Sequence, residues 1–346
     1  MKVRLEPTDE YMHPGPEPTF NESMYFNFFD PSEQLGGFVR IGNRPNEGHA
    51  EMTVCLYLPD GRVAFTFHRP EIDSNERFAA GGASFEVITP FEELRVRYDG
   101  KLVILDEPLD MADPRAAFTS NPWETASVDL TYSGASTPFG GEPEESHERP
   151  GEEFARGHYE QLVQARGTVS VGDQAWSVDG RGLRDHSWGP RTWQAPWYYR
   201  WLTVNMGDGT GMMLSRIARA DGPGTRGGFV WDGEGLHLVD HVELSTEWVG
   251  EDHYHQRITA RFDVRSPDGP VRRELTGEVR NLIPLRNRRD GRVTRISEGL
   301  TAWTLDRPLS ASEPGHDSSD PSATTGYGLS EYLDQIIDGE PVGRAE

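Results

Sequence analysis

The stretch ITARFDVRSPDG, Ile258 to Gly269, decides the fold class. In an extended chain successive side chains leave on opposite faces, so Ile258, Ala260, Phe262 and Val264 share one side. Thr259, Arg261, Asp263 and Arg265 share the other. Asp268-Gly269 then closes the run, and Asp-Gly suits a type I′ turn, where both central residues take positive φ. The same grammar recurs. Met52, Val54, Leu56 and Leu58 alternate before Asp60-Gly61, and Val63, Phe65 and Phe67 follow it. Leu94, Val96 and Tyr98 precede Asp99-Gly100, while Val128, Leu130 and Tyr132, then Val169 and Val171, repeat the pattern. Nine Asp-Gly pairs are spread over both halves of the chain. Many short strands joined by tight turns predict an all-β protein built from antiparallel sandwiches or barrels.

Helix is scarce in this reading. Leu329, Tyr332, Leu333 and Ile336 recur at helical spacing, which predicts one short C-terminal helix over Leu329–Ile336. Ser133 to Glu153 and Asp306 to Thr325, rich in Gly, Pro, Ser and acidic residues, read as long exposed loops. At 346 residues the chain fits two domains, and the boundary is placed at Asp185, giving domains 1–184 and 185–346.

Composition excludes some partners. With 57 acidic against 34 basic residues, the formal charge of −23 repels phosphate backbones and anionic membranes. Neither nucleic acid nor membrane is expected as a partner. The basic run Arg286 to Arg295 surrounds an Asp290-Gly291 turn and reads as a hairpin tip, or as a face for an acidic surface of a second copy, so a homo-oligomer stays open. The single cysteine, Cys55, lies in an alternating apolar run and rules out a disulfide within the chain. The N-terminus lacks the apolar core of a secretion signal. The expectation is a cytoplasmic protein.

Function points to one stretch, GRGLRDHSWGPRTWQAPWYYRW, Gly180 to Trp201, which holds four of the nine Trp residues. Arg184, Asp185, His186 and Arg191 lie there among Trp188, Trp193, Trp197, Tyr198 and Tyr199. A pocket of aromatic walls with few placed polar groups uses this mixture. In a strand Asp185 and His186 face opposite sides, while His186 and Trp188 share one. Burial beside an indole predicts a lowered proton affinity for His186, and a raised, acid-ready carboxyl for Asp185. Aromatic faces stabilise a developing cation. Together these features suggest proton-initiated chemistry on an alkene, or isomerisation, with no cofactor and no metal.

The run Gly-x-Gly-x-x-Asp-His-Ser-Trp-Gly, Gly180 to Gly189, resembles the signature of the carotenoid 1,2-hydratase and AttH-like superfamily, which also includes fungal Diels–Alderase-type cyclases. His158-Tyr159-Glu160-Gln161 and Gly167 upstream look like related bacterial proteins. The resemblance implies two lipocalin-like β-barrel domains with the signature near their junction. It also implies His186 and Trp188 as active-site residues. An acidic residue on a later strand protonates the substrate in the hydratases, but the comparable stretch here, Gly211 to Arg216, has no carboxylate. Asp185 and Glu160 are the nearby alternatives.

The resulting expectation has Asp185, His186 and Trp188 as catalytic residues. Arg184, Arg191, Trp193, Trp197, Tyr198, Tyr199, His158 and Glu160 would hold a hydrophobic terpenoid, polyketide or steroid-like substrate in a cavity between two barrels. A carrier with no chemistry would use the same aromatics, and an interaction protein would leave them exposed. His253 and His255 share one face of a strand near His237 and His241, but a metal there would lack a third ligand, and a solvent-facing pair is the plainer reading. No phosphate-binding loop, dinucleotide fingerprint, zinc-protease motif or serine-hydrolase motif occurs.

Overall fold

The computed structural model describes residues 3–144, 154–309 and 325–345. The chain divides into two compact units, Met1–Ala195 and Pro196–Glu346. The division falls eleven residues beyond the expected one at Asp185, because the strand carrying Asp185 runs unbroken over Gln174–Pro190.

Eight strands make the first unit's wall: β1 (Phe20–Asp30), β2 (Leu35–Arg44), β3 (His49–Tyr57), β4 (Val63–His68), β5 (Glu93–Leu105), β6 (Trp123–Gly134), β7 (Gly157–Val171) and β8 (Gln174–Pro190). Each pairs antiparallel with the next, and β8 returns to pair with β1, so the wall closes in simple up-and-down order. Closure removes the unpaired edges that an open sheet would expose. The interior is apolar, with Met24, Phe26, Val54, Leu130, Val163 and Val178 among its buried residues. β1 is buried on both faces along its whole length, so FNESMYFNFFD shows no clean alternation in sequence.

The second unit repeats the plan with β9 (Tyr198–Met206), β10 (Gly211–Arg219), β11 (Gly222–Trp231), β12 (Leu236–Val249), β13 (Tyr254–Val264), β14 (Val271–Arg289), β15 (Arg292–Leu305) and β16 (Thr325–Ile337). Pairing of β16 with β9 closes it. Leu202, Val242, Ile258, Phe262, Leu275 and Trp303 fill it. The Ile258 to Gly269 run is β13 and its turn, as its alternation predicts. Seven of the nine Asp-Gly pairs fall at or beside hairpin turns, whereas Asp99-Gly100 and Asp179-Gly180 lie inside β5 and β8. Asp290-Gly291 and Asp338-Gly339 take positive φ at both residues, the condition for a type I′ turn. Cys55 is buried in β3, and Arg286 to Arg295 form the tip of the β14–β15 hairpin.

Three expectations change. The predicted helix over Leu329–Ile336 is instead part of β16, which pairs with β15 and β9 on its two sides. Tyr332 joins the apolar interior while Leu329 and Leu333 are buried on the opposite face. A strand buried on both faces carries apolar residues at any spacing, and here the spacing coincided with a helical one. The loop expected from Ser133 begins later, since β6 runs through Gly134 and Phe139–Pro143 pairs with the start of β7. Residues 145–153 of that loop, and 310–324 of the second one, lie outside the described residues. The α-helix Pro114–Ser120, capped by the Asp113 side chain at Ala116 N, has no counterpart in the sequence reading.

Candidate functional site

The signature stretch is the second half of β8, held between β7 and β1. Val178 packs in the apolar interior, so its even-numbered companions Arg184, His186 and Trp188 also turn inward, while Asp185 and Ser187 turn outward. Two glycines permit this close weave. A Cβ on Gly182 would lie 1.8 Å from Asn27 O on β1, and one on Gly157 would lie 2.2 Å from the Trp188 indole.

Inside the barrel the polar side chains form a continuous chain. The Arg184 guanidinium donates to both carboxylate oxygens of Glu10, at 2.6 and 2.8 Å, and its Nε donates to Gln161 Oε1 at 2.9 Å. Tyr159 donates its hydroxyl to Glu10 Oε1 at 2.5 Å and stands 3.5 Å from His186 Nδ1. His186 Nε2 meets Glu22 Oε1 at 3.0 Å, and His13 Nδ1 meets the same oxygen at 2.7 Å. The His13 ring stacks on Trp188 at 3.9 Å. Burial by itself would raise the Glu22 carboxyl, but hydrogen bonds from His13 and His186 reverse this and leave it at about 2. Burial likewise opposes ionised Glu10, and the adjacent Arg184 charge overcomes it, holding Glu10 below the ordinary carboxylate range. Arg184, His186 and Glu22 have no solvent exposure.

The outward face of the same two strands differs. His158 Nε2 lies 2.5 Å from Asp185 Oδ2 and 3.5 Å from Glu160 Oε1. Glu160 opposes Asp185 directly in the β7–β8 register, so the three groups meet across one strand pair. The His158 side chain is 44% exposed, so this cluster is reached from solvent through its imidazole. Burial pushes the Asp185 carboxyl up, but the His158 charge and hydrogen bond pull it further down, below its ordinary value. Burial pushes His158 down, and Asp185 then Glu160 raise it overall. The expected raised, acid-ready Asp185 is therefore corrected. The pair favours a charged Asp185 and a more basic His158, the opposite of the expected direction for Asp185.

Of the remaining expected residues, Arg191 stays beside the His158–Asp185 cluster, where its charge acts on both groups, and the others separate. Arg191 Nη2 donates to Ser187 Oγ at 2.7 Å and its Nε to Phe154 O at 2.8 Å. Trp193 Nε1 donates to Glu51 Oε2 at 3.3 Å, with the Arg191 and Arg40 guanidinium groups over its ring. Trp197, Tyr198 and Tyr199 belong to the second unit. There Tyr199 donates its hydroxyl to Glu331, and Tyr198 lies under Arg200, itself paired with Asp334 at 3.0 Å. Trp193 and Trp197 are both partly buried. A shallow depression of about 260 Å³ on the first unit is lined by His68, Arg69, Pro70 and Gly81, none of them an expected site residue.

The sequence reading missed Glu10, His13 and Glu22, which lie more than 160 residues from His186 along the chain. One signal was there: a carboxylate inside the aromatic run FNESMYFNFF, since a lone charge in a buried strand requires a partner. His253 and His255 do not form a pair. His253 sits in a turn beside Glu340 and Arg344, while His255 is buried against Ser330 and Tyr332. Among the described residues two groups bring three metal-capable side chains together: His13, Glu22 and His186 inside, and His158, Glu160 and Asp185 outside.

A family model described as Domain of unknown function (DUF7064) matches residues 6–309. No curated protein matches the sequence. Among solved structures, the chain is similar to a protein from Nitrosomonas europaea assigned as an AttH, with a TM-score of 0.55 at 14% identity, covering 96% of each chain. It is also similar to CghA, with a TM-score of 0.53 at 12% identity over 91% of this chain and 88% of that one. Kievitone hydratase from Nectria haematococca follows, with a TM-score of 0.54 at 10% identity over 93% of each. These likenesses place the chain in the lipocalin-like, AttH-type fold that the Gly180 to Gly189 signature resembles.

Proposed function

The chain belongs to this DUF7064 family, and we propose that it is an enzyme that moves a proton to and from a hydrophobic, unsaturated substrate of terpenoid, polyketide or steroid-like character. The reaction class is acid-assisted hydration or dehydration, isomerisation or cyclisation. The observation that carries this reading is the convergence of His158, Asp185 and Glu160 on a solvent-reachable face, while His186 and Trp188 are enclosed within the barrel wall. A titratable pair sharing a proton beside a second carboxylate supplies an acid and a base within one site. A carrier would have no use for such a group. One of the similar structures is, by its name, a hydratase.

In this reading His158 gives the proton to a substrate double bond, and the resulting cation is captured by water, or by a second double bond whose new cation then loses a proton from an adjacent carbon. Glu160 accepts the proton released by the water or by that carbon and passes it to solvent, and His158 is recharged from solvent. Asp185 is the positioning residue that keeps the imidazole charged. His186 and Trp188, anchored to Glu22 and His13, fix β8 so that Asp185 faces His158. The proton step draws only on the chain's own residues.

The test is turnover of a panel of terpenoid, polyketide and steroid alkenes followed by mass spectrometry. The reading predicts conversion of at least one member, and a His158→Gln loss of about 100-fold or more in kcat, the usual contribution of a general acid. Equal turnover by His158→Gln removes the acid assignment. Retention of a panel member unchanged, with no conversion, supports the carrier instead.

A further inference from the structure

We propose that His13, Glu22 and His186 form a binding site for one divalent transition cation, at the end of the first barrel where β1 begins and β8 ends. The inference does not rest on the proton-transfer reading, which uses the opposite face of β8. Two imidazole nitrogens converge on a single carboxylate oxygen: His13 Nδ1 at 2.7 Å and His186 Nε2 at 3.0 Å from Glu22 Oε1. One ligand atom from each residue lies within 4.8 Å of the other two. Tetrahedral zinc with bonds of about 2.1 Å separates its ligand atoms by about 3.4 Å, so these groups need to open by only about half an ångström.

The surroundings hold the ligands as a metal site requires. Glu22 Oε2, which is not needed as a ligand, accepts from the His13 amide at 2.7 Å and from Asn75 Nδ2 at 2.8 Å, so the carboxylate is fixed with Oε1 presented inward. Ligating imidazoles characteristically offer their second nitrogen to a carboxylate or its relay. His13 Nε2 is 3.5 Å from Asp9 Oδ1. His186 Nδ1 faces the Tyr159 hydroxyl, which is committed as a donor to Glu10 and so accepts from the ring. With an ion bound, that arrangement keeps a proton on His186 Nδ1 while Nε2 gives up its hydrogen bond to Glu22 and turns its lone pair to the metal.

Two imidazoles with one carboxylate is a set that suits zinc, cobalt or ferrous iron and leaves a coordination position open. His13 keeps 14% side-chain exposure, which gives an ion its entry.

The test titrates Co(II), then Zn(II), into the full chain after dialysis against a chelator. The proposal predicts one Co(II) per chain with visible ligand-field absorption, and a Zn(II)-dependent rise in melting temperature. His13→Gln, checked for folding by circular dichroism, lowers Co(II) affinity by more than about 100-fold, and Asp9→Asn by about 10- to 100-fold. His158→Gln leaves the absorption unchanged. Three results overturn the proposal: no stoichiometric Co(II) uptake, uptake by His13→Gln equal to that of the wild type, or absorption that follows His158 instead.

Discussion

At the scale of single residues, the Arg184–Glu10 pair governs the interior of the first barrel. Neither side chain has any exposure, and Arg184 is held by three acceptors: Glu10, Tyr159 and Gln161. Such a pair adds little stability over an apolar filling, but breaking it strands a charge in the protein interior. Arg184→Met is expected to lower unfolding stability by about 3–5 kcal/mol in urea titrations. Adding Glu10→Gln returns part of that loss, because no charge is then left alone. A loss below about 1 kcal/mol for Arg184→Met would mean that water reaches Glu10 and that the interior is not sealed. Arg184 was legible in sequence as a residue of interest, but Glu10 was not. Glu10 lies in PTDEYM, an ordinary acidic segment. Only the folded path of the N-terminal segment carries it to β8.

At the scale of elements, a single β-bulge explains why the face of His255 on β13 was misread. Trp248 on β12 opposes His255, yet Glu247 opposes Arg257, so Gln256 is an extra residue. The bulge shifts the alternation and turns His255 onto the same inner side as Ile258 and Phe262, stacked on Tyr332 at 4.0 Å. Sequence carries no sign of an inserted residue, so alternation could not assign His255 a face. There His255 Nε2 bonds across the barrel to Ser330 Oγ on β16 at 2.9 Å. Burial, then the Arg200 charge, depress its proton affinity to about 3. Its folded value lies below the ordinary 6.5, so the stability it contributes is complete above pH 6.5 and is lost as pH falls toward 3. The expected slope is about 1.4 kcal/mol per pH unit from this one group. Urea titrations of wild type and His255→Asn between pH 7 and 4 check this, and parallel pH profiles for the two proteins would contradict it. Where no bulge intervenes, as in Ile258 to Val264, alternation was enough to place each side chain.

At the scale of the whole molecule, each unit is a closed eight-stranded wall, and function depends on which face of β8 the chemistry uses. The signature stretch was legible because its residues are consecutive. Its division into a sealed inner set and an open outer set was not, because that depends on β7 and on the distant N-terminal segment. The Asp185 role illustrates the difference: burial alone predicts a raised carboxyl, and only the position of His158 reverses the direction. Protonation of carbon by His158 is tested most directly by running the reaction in D2O on any alkene the protein converts. One deuterium per turnover is expected at a non-exchangeable carbon of the product, with incorporation and turnover lost together in His158→Gln. Product formed in D2O with no carbon-bound deuterium would contradict it.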